Sequence, residues 1–458
     1  MNSHSIERHP GIYWIETYGC QMNKYDSELL GGILESCGYL PAASADEADV
    51  IIVNTCAVRK HAEDRATGQI NKLAGWKKQR SGRRLGVVGC MAKNQGEGLL
   101  KAHPFLDFII GPDQYKLLPE ILSGNSGKPA VVVDFNHTEN YNALEPARTG
   151  NPSGWVAITR GCNNFCSYCI VPYTRGRERS RPADEILREI EQMVEQGFKE
   201  ITLLGQNVNS YHDQSIDFPE LLRQCARVQG VWQIRYMTSH PKDLSPRLLD
   251  VMCSEETIAP HIHLPAQAGS DRILKLMNRK YTRKHYLNLI AEARRRMPSI
   301  ALSTDIMVGF PTETEEEFLE TCSLLEEVRF DDAYLYHFSP RPGTPAAELD
   351  GQIPEAVRLE RLDRLITLQR QISAEKKLTW IGSTVEVLPE TESRHSPKEW
   401  IGRTPRNQTV VFPKEGTLAG EPVFIYLDEL SGATLRGHVA IEDRRIQIKR
   451  RQQCGSLN

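Results

Sequence analysis

The chain has 458 residues, of which 40% are hydrophobic and 25% are charged, and its formal net charge is −3 at pH 7. No stretch approaches the roughly 18 consecutive apolar residues that a membrane span needs, and the first residues show no apolar segment of the secretory kind, so we expect no membrane association. Its eleven cysteines, without an export signal, favour metal-binding or reactive thiols in a reducing cytoplasm over disulfides.

The first third of the chain alternates short apolar runs with amphipathic stretches, which predicts parallel β/α units. We expect helices between its strands, for example at 27–37 and 61–78. The strands are expected at 12–17, 49–54, 85–88, 108–110 and 130–134. A Rossmann-like parallel α/β domain over residues 11–128 is therefore the prediction for this region.

A second β/α series follows a linker rich in proline and glycine, and we assign it to residues 148–378. Its helices include 184–196, 283–296 and 315–328. Its strands are expected at 155–159, 200–204, 233–238, 261–264, 302–308 and 333–338. Six strand–helix units are too few to close an eight-stranded barrel.

A long polar helix at 354–379 leads into a third region, 381–446, where the pattern becomes all-β. Strands are expected there at 384–388, 409–412, 423–427 and 434–441, with turn residues between them. This pattern predicts a small barrel.

Cys162, Cys166 and Cys169 form a C-x3-C-x2-C triplet on one short loop after the first strand of the second series. Three thiolates at this spacing suit an iron–sulfur cluster and leave one iron without a protein ligand. A zinc site would usually take a fourth ligand, and none follows at zinc-finger spacing. A purely structural thiol cluster would be expected in an apolar core, whereas this loop is polar and glycine-rich.

Cys20, Cys56 and Cys90 each follow a predicted strand of the first domain, in the turn that opens the next helix. Because the carboxyl ends of parallel strands meet at one edge of a sheet, we expect these three thiols to converge. The alternative is that they simply pack, since free cysteines are often buried. The other cysteines in helical patterns are interpreted as packing residues: Cys37, Cys225, Cys253 and Cys322.

The triplet, with an aromatic residue before its last cysteine, resembles the signature of the radical S-adenosylmethionine (SAM) superfamily. Two further segments resemble its methylthiotransferase branch, namely Thr17-Tyr18-Gly19-Cys20-Gln21-Met22-Asn23 and Ile170-Val171-Pro172-Tyr173-Thr174-Arg175-Gly176-Arg177-Glu178. The resemblance implies a methylthiotransferase N-terminal domain, a partial (β/α)6 radical SAM barrel and a C-terminal TRAM domain that binds RNA. It also implies two [4Fe–4S] clusters, one on each cysteine triad, and SAM as both methyl donor and radical source.

The resemblance places further residues near the cofactor but assigns no catalytic side chain beyond the cluster ligands. Gly205, Gln206 and Asn207 follow the second barrel strand, in the loop that meets the amino group of SAM in the family. His263 and Asp305 belong to two later strand segments and match motifs that line the cavity. His263 has an alternative interpretation as an ordinary, hydrogen-bonded barrel histidine.

Basic residues are concentrated in three runs, at 59–84, at 175–181 and at 444–451, although the chain is net acidic. Together these runs favour contacts with phosphates. The run at 59–84 alone favours a solvated helix face, and the run at 175–181 has internal ion pairs as its alternative. We interpret the following residues as RNA contacts: Arg175, Arg177, Arg179, Arg403 and Arg406.

Within the branch, the segments are most similar to the group that acts on tRNA carrying N6-dimethylallyladenosine at position 37 of the anticodon loop. The resemblance implies methylthiolation of C2 of that base by a monomeric enzyme, with separate donors of electrons and sulfur. The alternatives are methylthiotransferases for threonylcarbamoyl-adenosine in tRNA or for a ribosomal protein. A non-catalytic iron–sulfur protein that binds RNA is the alternative of another class.

Overall fold

The computed structural model describes residues 11–57, 60–124, 128–142, 144–148, 150 and 152–440. A parallel α/β domain is followed by a second parallel α/β unit and then by a closed β barrel, which confirms the predicted fold class. Residues 441–446, included in the predicted third domain, lie outside the described residues. Within the part that is described, no helix is both long and apolar enough to cross a membrane.

The N-terminal domain has a six-stranded parallel sheet at its centre. Its strands are β1 Ile12–Tyr18, β2 Leu40–Pro41, β3 Val50–Thr55, β4 Arg84–Gly89, β5 Phe108–Ile110 and β6 Ala130–Val132. Their order across the sheet is β2-β1-β3-β4-β5-β6, with β3 completely buried. The helices are α1 Gln21–Ser36, α2 Lys60–Gln79, α3 Cys90–Gln95, α4 Glu97–Ala102 and α5 Leu118–Ser123.

The central unit contains the six long strands expected from the sequence and two short ones that flank the cysteine loop. These strands are β7 Ser153–Ala157, β8 Thr159–Arg160, β9 Arg179–Ser180, β10 Glu200–Leu204, β11 Gln233–Tyr236, β12 His261–His263, β13 Ala301–Val308 and β14 Asp332–His337. The long strands form two parallel sheets, β11-β10-β7 and β12-β13-β14, and a bridge between Ile234 and Ile258 lies at the seam. The short β8 and β9 pair antiparallel and close the base of the cysteine loop.

Helices cover the outside of these strands, as a parallel sheet requires. They are α6 Val171–Arg175, α7 Ala183–Glu195, α8 Phe218–Ala226, α9 Pro246–Ser254, α10 Asp271–Leu276, α11 Arg283–Arg296, α12 Glu315–Val328 and α13 Glu355–Leu378. Several of these helices begin at N-cap residues that can be recognised in the sequence. At α12, for example, Thr314 and Glu317 form a reciprocal capping box.

The C-terminal domain is a closed barrel of five strands in the order β15-β16-β17-β19-β18. The strands are β15 Thr384–Glu392, β16 Glu399–Arg403, β17 Thr409–Pro413, β18 Val423–Ser431 and β19 Thr434–Val439. The sequence pattern does not predict β16, because the charged ends of this strand and Gly402 interrupt its apolar residues. Gly402 is required by close packing, since a Cβ there would lie 2.4 Å from the carbonyl oxygen of Leu388.

The barrel docks against the amino ends of the core strands, opposite the end that carries the cysteine loop. Arg403 pairs with Glu200, the first residue of β10, at 2.9 Å. Arg235 donates to the carbonyl oxygens of Thr404 and Pro405. Ser153, the first residue of β7, donates to Glu390. The core therefore separates the barrel from the cysteine loop by the length of its strands.

Candidate functional site

The loop of Cys162, Cys166 and Cys169 lies between β8 and α6, and its thiols are largely buried. Burial raises the pKa of Cys162 to about 11 and that of Cys169 to about 12, and neighbouring thiolates of the same loop add to both shifts. The three thiols thus lie close enough to affect one another's charge. A nearby positive charge would be needed to hold them all as thiolates.

Arg279 supplies such a charge. It is buried and donates from Nη1 to the Sγ of Cys166 at 3.4 Å. Its other nitrogens contact the Tyr281 hydroxyl and the Pro265 carbonyl oxygen, so the side chain is fixed in place. The sequence does not predict this role of Arg279, because Arg279 lies 110 residues or more after the loop that it supports and belongs to no recognisable motif.

The structure brings Cys20, Cys56 and Cys90 together at the carboxyl edge of the first sheet, as the topology predicts. Cys20 precedes α1, Cys56 follows β3 and Cys90 opens α3. A hydrogen bond with Cys56 lowers the pKa of Cys20 to about 6, against the effect of burial, and Arg175 adds to the lowering. A Cβ on Gly19 would lie 2.6 Å from the Cβ of Cys56, so only glycine permits this approach.

The two triads lie next to each other across the domain interface. Ile170, directly after Cys169, packs with Cys90 and with Ala57, the neighbour of Cys56. Arg175, at the end of α6, donates from Nε to the Sγ of Cys90 at 3.2 Å. The loop of Cys162, Cys166 and Cys169 and the turns that carry Cys56 and Cys90 therefore lie beside the same part of the domain interface.

The chemistry of the donor sets fits iron–sulfur clusters, whose irons take cysteine thiolates as ligands. A cubane cluster binds each thiolate at a separate corner. Two sets of three neighbouring thiols, each with an arginine that donates to one sulfur, match that requirement.

Asp26 joins the two loops in one buried ion-pair network that the sequence did not predict. It accepts from Arg160 at 2.9 Å and from Arg175 at 2.7 Å. Arg160 immediately precedes the cysteine loop and Arg175 follows it. Burial alone would raise the pKa of Asp26, but the two arginines outweigh it and hold that pKa below its ordinary value.

The predicted SAM loop contacts the cysteine loop directly. The backbone N–H of Gly161 donates to Oε1 of Gln206 at 2.5 Å. Asn207 is buried and donates to Asp243 at 2.8 Å. A Cβ on Gly205 would lie 2.0 Å from Oγ1 of Thr159, so packing alone already requires glycine here. Contact of these residues with SAM stays a prediction.

His263 and Asp305 lie together, with the Nε2 of His263 3.4 Å from Oδ2 of Asp305. The Nδ1 of His263 shares a hydrogen bond of 3.0 Å with Ser303, so both ring nitrogens have partners. This arrangement favours the interpretation of His263 as a hydrogen-bonded barrel residue. Asp305 is about one quarter exposed, since its side chain keeps 27% of its accessible surface.

Three of the predicted RNA contacts have carboxylate partners within the protein. Arg175 is buried against Asp26 and Cys90, and Arg179 is held by Asp113 at 2.8 Å. Arg403 pairs with Glu200 and Glu390 where the barrel docks. These side chains form internal ion pairs, which was the alternative for such a run.

The other two predicted RNA contacts remain accessible. Arg177 is exposed, with its guanidinium 5.0 Å from the centre of the Phe165 ring. Arg406 is half-buried over Trp380 beside a cavity of about 490 Å³ between core and barrel. Of the two remaining basic runs, Arg59 and the tail at 444–451 lie outside the described residues.

Three family models match successive parts of the chain. An uncharacterised protein family, UPF0004, matches residues 12–111, the radical SAM superfamily matches 156–325 and the TRAM domain matches 379–440. They follow the order of the three units of the fold.

Curated relatives are similar over nearly the whole chain. A tRNA-2-methylthio-N(6)-dimethylallyladenosine synthase of Chlorobium chlorochromatii (strain CaD3) is 44% identical over 440 residues, covering 94% of this chain and 98% of that protein. A synthase of the same name from Thermoanaerobacter sp. (strain X514) is 45% identical over 434 residues, covering 93% and 92%.

Among solved structures, the radical SAM methyltransferase TsrM from Kitasatospora setae aligns with a TM-score of 0.55 and 14% identity. The alignment covers 73% of this chain and 77% of that one. At this identity the likeness shows the fold alone.

Proposed function

This chain belongs to the family of tRNA-2-methylthio-N6-dimethylallyladenosine synthases, and we propose that it methylthiolates C2 of N6-dimethylallyladenosine at position 37 of tRNA. The observation that carries the proposal is the contact between the two cysteine triads through Arg175, Cys90 and Ile170. Two adjacent cofactor sites that face one substrate suit a reaction that joins a sulfur and a methyl group to an unactivated ring carbon.

Cys162, Cys166 and Cys169 would hold one [4Fe–4S] cluster with SAM, and a second cluster would lie on Cys20, Cys56 and Cys90. When bound, these groups supply one-electron cleavage of SAM and a station for sulfur, which are reactions that side chains alone do not offer. SAM would serve as methyl donor and radical source. Separate donors would provide electrons and sulfur to a monomeric enzyme in the cytoplasm.

The chain's own residues position and stabilise these groups. Arg279 and Arg175 donate to Cys166 and Cys90, and a charged donor stabilises a thiolate in a buried site. Gln206 ties the second barrel loop to the cysteine loop through Gly161. The buried ion pairs of Asp26 with Arg160 and Arg175 fix the position of the loops, and with it the geometry in which the substrate must arrive.

Analysis of tRNA nucleosides by mass spectrometry tests the proposal. Cells that lack the gene should lose the 2-methylthio base and accumulate N6-dimethylallyladenosine, and the intact gene should restore the product. Retention of the 2-methylthio base in such cells would overturn the proposal. A loss confined to methylthiolated threonylcarbamoyl-adenosine would point to that substrate instead.

A further inference from the structure

An exposed aromatic and cationic surface lies on the loop of Cys162, Cys166 and Cys169. It consists of Phe165, Tyr173 and Arg177, which we call the loop patch. Tyr173 is 43% exposed, Arg177 is exposed and Phe165 is half-buried. The rings of Phe165 and Tyr173 meet edge to face, 6.3 Å between centres, and the Arg177 guanidinium covers the Phe165 ring.

Arg177 differs from the other arginines of its run. Arg175, Arg179 and Arg181 are held by the buried carboxylates of Asp26, Asp113 and Glu189. Arg177 pairs with no carboxylate in the described part of the chain. Its charge and the outer face of its guanidinium plane are therefore open to a ligand.

The backbone holds the loop patch rigidly beside the cysteines. Phe165 has a φ of 47°, a left-handed conformation that aromatic residues rarely adopt. Asn278 supports it by donating to the Phe165 carbonyl oxygen at 2.8 Å. A Cβ on Gly161 would lie 2.1 Å from the carbonyl oxygen of Arg177, so the two segments are pressed together.

A second aromatic and cationic pair continues this surface. The ring of Phe135 lies beside Gly176, 3.3 Å from where a Cβ would stand. The Nζ of Lys93 lies 3.8 Å above the centre of that ring, and His137 stacks on it with 5.8 Å between ring centres. Flat rings backed by cations are thus repeated along one side of the cysteine loop.

We propose that the loop patch stacks an unpaired base of the anticodon loop, the neighbour of the modified adenosine, on the guanidinium of Arg177 backed by Phe165. The inference rests on the proposed function, because it names how that substrate is held. A base that is modified must leave its stack, which deprives its neighbour of a stacking partner. Guanidinium planes and aromatic rings replace such partners in the recognition of single-stranded RNA.

Fluorescence of a substituted RNA tests the patch. The probe is an anticodon stem-loop with N6-dimethylallyladenosine at position 37 and 2-aminopurine beside it, titrated with the reconstituted holoenzyme. Stacking quenches 2-aminopurine, so binding to the wild type should quench it. Arg177→Lys keeps the charge but removes the plane, and it should lose the quenching and weaken binding about tenfold. Phe165→Leu should behave in the same way.

Arg188→Lys is the matched control, because Arg188 is an exposed arginine of α7 that pairs only with Asp184 on its own helix, as far as the described residues show. Full quenching and affinity in Arg177→Lys would overturn the inference. Evidence for a simple phosphate contact would also overturn it. In that case Arg177→Gln would reduce the slope of the log binding constant against log salt concentration by about 0.7 to 1, and Arg177→Lys would restore both this slope and the affinity. Product formation by the wild type tests the proposed function separately: a wild type that quenches the probe but makes no 2-methylthio base would refute only the reaction.

Discussion

Arg175 donates from Nη2 to Oδ2 of Asp26 at 2.7 Å, and both side chains are buried. Asp26 lies on α1 of the N-terminal domain, whereas Arg175 ends α6 of the core, directly after the cysteine loop. The same guanidinium contacts the Sγ of Cys90. One ion pair therefore sets the position of one triad relative to the other.

Asp26→Ala should destabilise the protein by about 3–5 kcal/mol, because it leaves Arg160 and Arg175 buried without their carboxylate. Denaturant unfolding measures the loss. Asp184→Ala is the control, since it breaks only an exposed pair with Arg188, and such pairs contribute about 0–1 kcal/mol. Equal losses in the two variants would contradict the role given to Asp26.

Glu28→Gln should stabilise the protein at alkaline pH. Burial raises the pKa of Glu28 from 4.5 to about 7, and Glu189 adds to the shift against the opposing effect of Arg148. Between these two pKa values the folded chain keeps a proton that the unfolded chain releases, so stability falls as the pH rises through that window.

The uncharged amide introduced by Glu28→Gln would avoid this loss. The gain should be about 3 kcal/mol at pH 8 and about 1 kcal/mol at pH 5, measured by denaturant unfolding at both values. Glu47→Gln, at an exposed position, is the control. A gain of equal size at pH 5 would show that ionisation of Glu28 is not its cause.

Arg403→Met should loosen the docking of the C-terminal barrel, because Glu390 and the buried Glu200 would lose their cationic partner. We expect a loss of about 1–3 kcal/mol in the free energy of unfolding and faster proteolysis between α13 and β15. Arg394→Met, at an exposed position of the same barrel, should change neither. Unchanged stability together with weaker tRNA binding would restore the RNA contact that the sequence suggested for Arg403.

The sequence pattern predicted strands well where apolar residues dominate a short segment. The strands Phe108–Ile110 and Glu200–Leu204 have the bounds that were expected, because each is a buried and mainly apolar segment that ends at a turn signal. Topology also predicted that Cys20, Cys56 and Cys90 meet. The parallel order of the sheet is enough to place the ends of β1, β3 and β4 side by side.

Pairings between distant residues could not be predicted. A run of alternating arginines looks the same whether it faces phosphates or carboxylates. Only the fold shows that Asp26, 149 positions before Arg175, neutralises it, while Arg177 faces outwards. Arg279 was missed for the same reason, since its partner Cys166 lies 113 residues earlier.

Each cysteine triad should account for about half of the iron in the anaerobically reconstituted protein, if each holds one [4Fe–4S] cluster. Replacing Cys162, Cys166 and Cys169 together by Ala should remove one half, as should the same replacement of the second triad. Cys37→Ser should leave the iron content unchanged, because Cys37 is exposed at the end of α1. Full iron content in either triple variant would show that its triad holds no cluster.

Removing a thiolate from one triad should affect the reaction products differently from removing a thiolate from the other. Cys162→Ala removes a thiolate from the loop that would hold SAM, so it should abolish both 5′-deoxyadenosine and the 2-methylthio product. Cys20→Ala leaves that loop and its support by Arg279 intact. Cys20→Ala should therefore block formation of the product while some SAM cleavage continues, because no sulfur would be available for C2 of the adenosine. Quantifying 5′-deoxyadenosine and modified tRNA in the same reactions, by mass spectrometry, separates the two effects. A near-normal yield of methylthiolated tRNA from Cys20→Ala would show that the sulfur does not come from the triad of Cys20, Cys56 and Cys90.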